Sequence, residues 1–286
     1  MNIGFIGAGK VGCSLGKYLS THGAAVAGYF DQNRQAAAEA AQFTGSRSYE
    51  DMQRLARDAD LIFLTVPDGL IPQVFRQLCA ESGDLLAGKF LCHCSGSISS
   101  REAFAGIEET GAFGYSVHPL FAVSDRFETY KELGGAFFSL EGEPSHLDDM
   151  AAFLKGAGLT FQVIDPASKT KYHLAAVYAS NLICGLIGQA SQLLQECGFA
   201  PEDALKALTP LIAGNVEHAL AAGPVQALTG PVERGDVTTL QKHLSVCESE
   251  DDRQLYLLLS RKLLDMAKEK HPERDYRELE VFLYKR

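Results

Sequence analysis

The stretch GFIGAGKVGCSLG, residues 4–16, decides the fold. It carries the pattern G-x-G-x-x-G between an apolar run typical of a strand and a pattern typical of a helix. In such a unit the first glycine makes a tight turn, the second lets the backbone approach a pyrophosphate, and the third lets the helix pack on the sheet. The helix N-terminus adds free N–H groups and a positive dipole end for phosphates. The pattern predicts a dinucleotide-binding turn made by Gly7, Ala8, Gly9, Lys10, Val11 and Gly12.

An acidic residue at the end of the second apolar run bears on which dinucleotide is bound. Asp31 lies 19 residues after Gly12. A carboxylate at this place accepts hydrogen bonds from the ribose hydroxyls and repels a 2′-phosphate. This favours NAD over NADP, with Gln32 expected beside the cofactor. Two alternatives stay open: Arg34 could reach round to a 2′-phosphate, and Asp31 could simply cap the next helix.

The segment TVPD, residues 65–68, ends another apolar run. In doubly wound sheets ligands bind at the carboxyl ends of the strands. We therefore expect Val66 and Pro67 to contact the cofactor. The same segment also fits a helix N-terminus with Asp68 as its cap, and the two interpretations are compatible.

Strand-like runs recur along the first part of the chain with helical patterns between them. They are NIGFI, AAVAGYF, DLIFLTV, KFLCHC, GAFGYSV, GAFFSL and TFQVI. The first four are nearly continuous apolar runs, as expected of strands buried on both faces of a parallel sheet. The order indicates an α/β fold with a doubly wound Rossmann-type sheet. We assign it to a dinucleotide-binding domain at residues 1–165.

After about residue 165 the strand signal stops, which predicts an all-α C-terminal domain at residues 166–286 for substrate binding or dimerisation. Asp165 as a cap, Pro166 at the first helical position and Gly198 as a terminator predict one long helix. This helix is apolar on nearly every side, so we expect neighbours to bury it. Further helical patterns follow at 201–220, 237–247, 250–269 and 275–283.

Two polar residues at strand ends are candidates for chemistry. Ser95 follows the run ending in CHC and could hydrogen-bond substrate or cofactor, although a local turn would also use its hydroxyl. His118, expected just past a strand, could take or give the proton that accompanies hydride transfer, or could simply stabilise a turn. Cys92 and Cys94 are interpreted as buried thiols, and no metal site is predicted.

Polar residues also mark one face of the predicted long helix. His173, Ser180 and Asn181 share a stripe with Val177, at spacings of four, seven and eight residues. Polar groups on an otherwise apolar helix need partners, which could be a ligand or another helix. We take His173 and Asn181 as candidates for holding a substrate, and note Lys169 near the stripe.

Composition narrows the class of partner. The formal charge is −10, from 26 basic and 36 acidic residues. Because nucleic acid and anionic membranes reward clustered Lys and Arg, neither is expected as a partner. The N-terminal sequence shows no signal-peptide pattern, and seven cysteines without framework spacing fit a reducing compartment. We therefore expect a cytoplasmic protein whose partners are a small-molecule substrate and a second copy of itself.

Four segments, HCSGSISS, HPLFAV, YHLAAVYASN and ALTGPVERGD, carry a family resemblance. Together they resemble the superfamily of dehydrogenases with a Rossmann domain and a helical second domain. That superfamily includes pyrroline-5-carboxylate reductase, ketopantoate reductase, 3-hydroxyisobutyrate dehydrogenase and prephenate dehydrogenase. Along nearly the whole chain, the segments look like a branch labelled NADP- or deazaflavin-dependent oxidoreductases, whose second domain has no known function. The resemblance implies a helical domain that often forms a dimer interface, and a cleft between the two domains.

The resemblance also suggests roles for single residues. His118 is similar to the histidine of prephenate dehydrogenases that meets the substrate hydroxyl, and Ser95 to the serine that ends their preceding strand. Asn181 fits an asparagine on the first long helix of the hydroxyacid and ketopantoate enzymes. The lysine of those enzymes falls at Val177 or His173 here, which is a departure from their pattern.

These observations lead to a functional hypothesis. The chain is expected to be an NAD(P)-dependent oxidoreductase that transfers hydride between nicotinamide and a small polar metabolite, either a hydroxy or keto acid or an imine, in the cleft between the domains. His118 would handle the proton, His173 and Asn181 would fix the substrate, and Ser95 would lie between substrate and nicotinamide. The alternative is a dinucleotide-binding redox sensor or scaffold without catalytic activity.

Overall fold

The structure, a computed structural model, describes residues 1–284. The chain divides into two compact units, Met1–Ile183 and a second unit that begins at Cys184. Each unit is described by itself below.

The first unit contains an eight-stranded sheet. Its strand order is β3-β2-β1-β4-β5-β6-β7-β8, and every pair is parallel except the antiparallel pair β6–β7. The strands are β1 (Asn2–Ile6), β2 (Ala25–Phe30), β3 (Arg47–Ser48), β4 (Leu61–Leu64), β5 (Phe90–His93), β6 (Phe113–Leu120), β7 (Phe137–Gly142) and β8 (Thr160–Val163). Each predicted strand run forms a strand, and β3 alone among them was not predicted.

Six α-helices between residues 10 and 156 alternate with these strands. They are α1 (Lys10–Thr21), α2 (Arg34–Thr44), α3 (Met52–Asp58), α4 (Ile71–Ser82), α5 (Ser100–Ala103) and α6 (Leu147–Gly156). Residues of α1, α2 and α6 pack into the core on one face of the sheet, and residues of α3, α4 and α5 into the core on the other. This is the doubly wound arrangement that the sequence predicts.

Strand alternation distributes side chains between the two cores. Phe5 and Phe63 stack at a centroid distance of 5.4 Å in the first core, whereas Ile62 lies in the second. Likewise Cys92 belongs to the first core, and the ring of His93 lies against Phe104 of the second. Each fully buried large apolar side chain contributes about 1.5–3 kcal/mol to folding. The two cores therefore stabilise the sheet whose edge carries the polar residues.

One expectation about β6 is wrong. His118 was expected just past a strand, but it lies inside β6 opposite Ser139 of β7. The parallel pairing of β6 with β5 reaches only Ser116, whereas the antiparallel pairing with β7 continues to Leu120. The antiparallel partner therefore extends the strand beyond the edge at which its parallel neighbour stops.

The remaining helices are α7 (Lys169–Tyr178), α8 (Asn181–Glu196), α9 (Pro201–Ala222), α10 (Pro224–Ala227), α11 (Pro231–Arg234), α12 (Val237–Ser245), α13 (Glu250–Lys270) and α14 (Arg277–Tyr284). The second unit has a core formed mainly by α11 to α14, with Leu240, Leu257, Leu264 and Leu279 among its buried residues. The mostly helical second half confirms the predicted fold class.

The predicted long helix differs from the structure in two respects. It is interrupted at Ala179 and Ser180, which separate α7 from α8. The Ser180 hydroxyl donates to the carbonyl oxygen of Ala176 at 2.7 Å, a local bond that competes with helix continuation. None of the residues of α8 is buried in the chain, against the expectation that neighbours cover it. The predicted stripe from His173 to Asn181 therefore does not lie on one helix.

The segment Pro166–Glu196 is long and apolar enough, by length and composition, to cross a membrane. Its mean hydropathy is 1.3 in the most apolar window, of which none is buried. The break after Tyr178 divides it into helices of 10 and 16 residues. A transmembrane helix needs about 20 consecutive residues, so the interrupted segment is weak evidence for a membrane span.

Candidate functional site

In the glycine-rich turn, two glycines pack tightly against neighbouring backbone and the third has free space beside it. Gly7 has a φ of 108°, and a Cβ atom there would lie 2.7 Å from the carbonyl oxygen of Thr65. A Cβ atom on Gly12 would lie 2.4 Å from the carbonyl oxygen of Gly7. A Cβ atom on Gly9 would meet nothing within 4 Å. The backbone at Gly9 is thus free for close approach by a bound group, while only glycine fits the other two positions.

Asp31 ties this turn to the end of β2. Its Oδ2 accepts a hydrogen bond from the backbone N–H of Ala8 at 2.7 Å, and its Oδ1 accepts one from Asn33 at 2.8 Å. Asn33, not Asp31, caps α2, because its side chain accepts from the N–H groups of Gln35 and Ala36. The helix-cap interpretation of Asp31 is therefore wrong. Each carboxylate oxygen has a second lone pair, so Asp31 can also accept hydrogen bonds from a ligand.

A cavity of about 220 Å³ opens beside the turn. Gln32 and Asp31 line it at the end of β2, and apolar side chains line it after β4 and along α4. The lining residues predicted for the cofactor are Gly7, Gly9, Asp31, Gln32, Val66 and Pro67. Ala8 is buried in the turn, and Lys10 and Val11 begin α1, with Lys10 exposed. A mostly apolar wall with one carboxylate is suited to a flat base joined to a sugar.

A cluster of polar side chains follows directly on the cavity wall. Asp68 comes after Pro67, and its Oδ2 accepts hydrogen bonds from the hydroxyls of Ser95 and Ser97, each at 2.7 Å. The Ser95 hydroxyl also accepts from the backbone N–H of Ser97 at 3.1 Å. Pro67, not Asp68, precedes the short 3₁₀ turn here, so the predicted cap role of Asp68 is wrong. The carboxylate instead joins the end of β4 to the loop after β5.

Two histidines meet around Gly96 in that loop. A Cβ atom on Gly96 would lie 2.7 Å from Nε2 of His118 and 2.8 Å from Cδ2 of His173, so a side chain at this position would require the two rings to shift. Nδ1 of His118 lies 2.8 Å from the hydroxyl of Tyr172. Of the four residues predicted for chemistry, the structure brings together His118, His173 and Ser95, the neighbour of Gly96.

The surroundings of His118 favour the neutral imidazole. Burial lowers its pKa to about 4, and the positive charges of Lys169 and His173 act in the same direction. The Asp68 carboxylate acts in the opposite direction, but its effect is smaller. His118 is therefore uncharged at neutral pH and presents one donor nitrogen and one acceptor nitrogen.

A buried lysine supports this site. The Lys169 side chain is 2% exposed, and its Nζ donates to the Ser116 hydroxyl at 2.5 Å and lies 3.8 Å from Oε1 of Glu141. Glu141 is fully buried, and its carboxylate accepts the N–H and hydroxyl of Ser100 at 2.9 and 2.6 Å. Nζ also lies 5.7 Å from the ring centroid of Tyr172. The pair thus joins α7, the helix that carries His173, to β7 and the start of α5.

Sequence reasoning missed the roles of three residues in this arrangement. It noted Lys169 without assigning it a role, and it did not consider Tyr172 or Glu141. The signal for Glu141 is weak but present: an acidic residue continues the apolar run GAFFSL, where a charged side chain without a partner would be costly. The helical spacing puts Lys169 near the stripe of His173 and Lys171 on the opposite side, in agreement with their buried and exposed positions, but it gives no sign of the partners of Lys169.

His93 lies under the polar loop. It is fully buried, its Nδ1 accepts the N–H of Ser95 at 3.1 Å, and its Nε2 has no hydrogen-bond partner. Burial lowers the pKa of His93 to about 3, with Lys169 adding to the effect. His93 therefore holds the backbone of the loop in its neutral form and is a support for Ser95.

Asn181 lies apart from this group. It is exposed at the first position of α8, and its Oδ1 accepts the hydroxyl of Ser180 at 3.1 Å. The helix break places it beyond the stripe that carries His173. Among residues 1–284, no three His, Cys, Asp or Glu side chains are grouped as metal ligands.

Comparison with known families agrees with these features. Residues 1–119 match the Rossmann-like domain, and residues 136–263 match a domain of unknown function, DUF2520. By fold, the chain is a Rossmann-type protein with a helical C-terminal part. More particularly, it combines a Rossmann-like domain with a DUF2520 domain, in line with the resemblance in the sequence. No curated protein matches the chain.

Several solved structures share the fold across nearly the whole chain. Protein TM1727 from Thermotoga maritima is 24% identical, with a TM-score of 0.73 over 94% of this chain and 99% of that one. An imine reductase from Myxococcus stipitatus, solved with NADP⁺, is 18% identical, with a TM-score of 0.63 over 99% and 100%. A pyrroline-5-carboxylate reductase from Coxiella burnetii is 16% identical, with a TM-score of 0.59 over 94% and 98%.

Proposed function

We propose that this protein is an NAD(P)-dependent oxidoreductase that transfers hydride between nicotinamide and a small polar metabolite. One observation carries the proposal: the cavity beside the open glycine-rich turn adjoins, along the chain, the polar cluster of Asp68 and Ser95. Val66 and Pro67 line the cavity, and the next residue, Asp68, bonds to Ser95. Similar folds in reductases that bind NADP⁺ or NAD⁺ support the cofactor class.

The residues present fit a dinucleotide. The open backbone at Gly9 and the N-terminus of α1 would hold the pyrophosphate, with Lys10 and Val11 at that terminus. Asp31 would hold the ribose hydroxyls, and the apolar wall at Val66 would hold the base. The cofactor would supply or accept the hydride. Because the Asp31 carboxylate borders the cavity, we infer a preference for NAD.

The chain's own residues would orient the substrate and exchange its proton. His118 is half-buried and directs Nε2 toward Gly96, and a hydroxyl, carbonyl or imine nitrogen would approach this nitrogen past the glycine. His173 borders the same space, and the Ser95 hydroxyl, held by Asp68, would contact either substrate or cofactor. The role of Asn181 in holding the substrate stays a prediction, because the only hydrogen bond of its side chain among the described residues is with Ser180.

One observation favours an imine over a hydroxy acid as the substrate. A hydroxy acid carries a carboxylate that needs a cationic partner. Lys169 is committed to Glu141 and Ser116 in the interior, and Asp68 adds negative charge beside the site. A neutral or protonated imine would meet no like charge at Asp68.

The second partner we propose is another copy of this chain, bound through the helical part. Ala204 is the buried residue of α9, a helix of 22 residues. Large apolar side chains on α9 are exposed, with Leu211 at 61% and Leu220 at 82%. Exposed apolar surface on this scale marks an interface, and a second copy would cover it symmetrically.

A fluorescence titration of the purified protein with NADH and with NADPH at one ionic strength tests the proposed function. We expect saturable binding, tighter for NADH. A screen of cyclic imines and small hydroxy acids, following NAD(P)H absorbance, then identifies the substrate class. Absence of binding to either cofactor would refute the proposal. Tight binding without turnover, and with no space for a ligand beside the ring in a cofactor complex, would favour the redox sensor instead.

A further inference from the structure

The two ring nitrogens of His118 face different groups. Nδ1 faces the Tyr172 hydroxyl at 2.8 Å, and the two rings are nearly perpendicular at 88°. Nε2 faces Gly96 at close range, since a Cβ atom there would lie 2.7 Å from it, and the His118 side chain is half-buried. In a neutral imidazole one nitrogen carries the proton and the other accepts a hydrogen bond. The partner at Nδ1 therefore decides what Nε2 can offer to a ligand.

The tyrosine hydroxyl is better suited to donate than to accept here. The buried Ser139 hydroxyl has no other hydrogen-bond partner among the described residues. Burial raises the pKa of Tyr172, and the contact with Ser139 acts against this rise, as expected when a hydroxyl donates to the phenol oxygen. With Ser139 donating to its oxygen, Tyr172 keeps its own proton for Nδ1 of His118. A positive charge on Lys169, 5.7 Å from the Tyr172 ring centroid, favours partial negative charge on the phenol and so makes its O–H more acidic and a stronger donor. Both arguments place the tyrosine proton toward Nδ1.

The charges around the pair keep the histidine neutral. Lys169 and His173 oppose a proton on His118, and Asp68 favours one to a smaller extent. On β7, Ser139 is the cross-strand neighbour of His118 and carries no charge, while Glu141 is engaged by Lys169 and Ser100. The imidazole thus keeps a single proton that either nitrogen could carry.

We propose that Tyr172 is a positioning residue, whose hydroxyl donates to Nδ1 of His118 and so holds the proton on Nε2, the nitrogen that faces Gly96. The buried pair of Lys169 and Glu141 anchors the first turn of α7 and thereby fixes the place of Tyr172. His118 then acts as a neutral hydrogen-bond donor to an oxygen or an unprotonated nitrogen of the substrate. The part about substrate rests on the proposed function, whereas the tautomer is a property of the free protein.

The chain contains a matched control for this contact. In the second unit, Nδ1 of His243 lies 2.8 Å from the hydroxyl of Tyr256, and the rings cross at 89°. The centroid distance is 5.6 Å in both pairs. Tyr256→Phe therefore removes the same bond from a histidine outside the proposed site.

The test is ¹⁵N NMR of protein labelled at histidine, at neutral pH and without cofactor, because protonated and unprotonated ring nitrogens give well-separated resonances. His118 is identified by the signals lost in His118→Asn. We expect His118 as the Nε2–H tautomer in the wild type, a mixture of tautomers in Tyr172→Phe, and an unchanged His118 in Tyr256→Phe. A wild-type His118 protonated at Nδ1 would overturn the proposal without any variant, and so would a Tyr172→Phe protein whose His118 signals are unaltered.

A second readout separates this inference from the proposed function. Once a substrate is found, Tyr172→Phe should lower kcat by about twofold or more, since half of a mixed population would carry the proton on the wrong nitrogen, with KM for the cofactor unchanged. If the protein binds no cofactor, the proposed function fails while the tautomer result stands. If it binds and turns over but Tyr172→Phe equals the wild type in kcat and in tautomer, only the positioning role fails.

Discussion

The ammonium of Lys169 lies 3.8 Å from the carboxylate of Glu141, and both side chains are shut off from solvent. Breaking a buried ion pair on one side leaves an uncompensated charge, which costs about 3–5 kcal/mol. Lys169→Met should therefore lower the free energy of unfolding of the first unit by about that amount. Urea unfolding followed by circular dichroism measures it.

The double variant Lys169→Met, Glu141→Gln is the control for this prediction. It removes both charges and retains an amide that can accept from Ser100. We expect the double variant to recover most of the stability lost in Lys169→Met. Equal loss in both would show that the charge pair is not the source of the effect.

The carboxylate of Asp31 is expected to select NAD. Asp31→Asn should weaken NADH binding about tenfold, which corresponds to about 1.4 kcal/mol, and should change NADPH binding little. Asp60→Asn is a suitable control, because Asp60 accepts the N–H of Asn2 at 2.8 Å near the amino end of the sheet. Fluorescence titrations of the three proteins decide the question. An equal loss for both cofactors would mean that Asp31 serves only the turn.

Gly9 offers a way to fill the proposed pyrophosphate site without straining the backbone. Its φ of −75° and ψ of −166° are accessible to valine, and its Cβ direction is open. Gly9→Val should abolish cofactor binding while leaving thermal unfolding nearly unchanged. Gly156→Ala, at another open position, should affect neither. Normal cofactor affinity in Gly9→Val would contradict the placement.

Acid should destabilise the protein through its buried histidines. The pKa of His93 falls from its usual 6.5 to about 3 in the folded state, so the unfolded chain binds the proton more readily. Stability from this group is full above pH 6.5 and is lost as pH falls toward 3. At pH 5 the loss is about 2 kcal/mol, from about 1.4 kcal/mol per pH unit.

His93→Gln tests this dependence through its slope rather than its absolute stability. Between pH 6.5 and 4, the urea midpoint of the variant should fall less steeply than that of the wild type. His118, with its pKa lowered to about 4, adds acid sensitivity that both proteins share. Parallel curves for the two proteins would contradict a neutral, buried His93.

The apolar surface of α9 should hold two copies together. Leu220→Asp should shift the mass in solution from about twice 30.9 kDa to 30.9 kDa, because Leu220 is exposed in one chain. Light scattering coupled to size-exclusion chromatography measures the mass. Val281→Asp, at an exposed position of α14, is the matched control and should leave the mass unchanged. A wild-type mass of 30.9 kDa would refute the dimer.

The sheet was predicted well from the sequence because a strand buried on both faces is a continuous run of apolar residues. Runs such as DLIFLTV have no other stable place than a sheet interior. Strand β3 has only two residues, which is too few to form such a run. The break between α7 and α8 also escaped prediction, since Ala179 and Ser180 are neither glycine nor proline and the side-chain bond to Ala176 is a local competitor of small energy.

The site was predicted where its residues follow a local pattern and missed where they depend on contacts between distant parts of the chain. Ser95 and His118 could be identified because the chemistry of doubly wound sheets concentrates at the carboxyl ends of strands. The contact of His118 with Tyr172 joins positions 54 residues apart, and that of Lys169 with Ser116 spans 53. Such pairs leave no periodicity in a single sequence, so only the folded chain reveals them.

The close approach at Gly96 has a consequence for how this protein can change over evolutionary time. Any side chain at position 96 would displace His118 or His173, because a Cβ atom there already lies 2.7 and 2.8 Å from their rings. A lineage that replaces Gly96 must therefore also shrink or move at least one of the two histidines. We expect Gly96, His118 and His173 to be conserved together among relatives. A relative that lacks one of them is expected to have a different chemistry at this edge of the sheet.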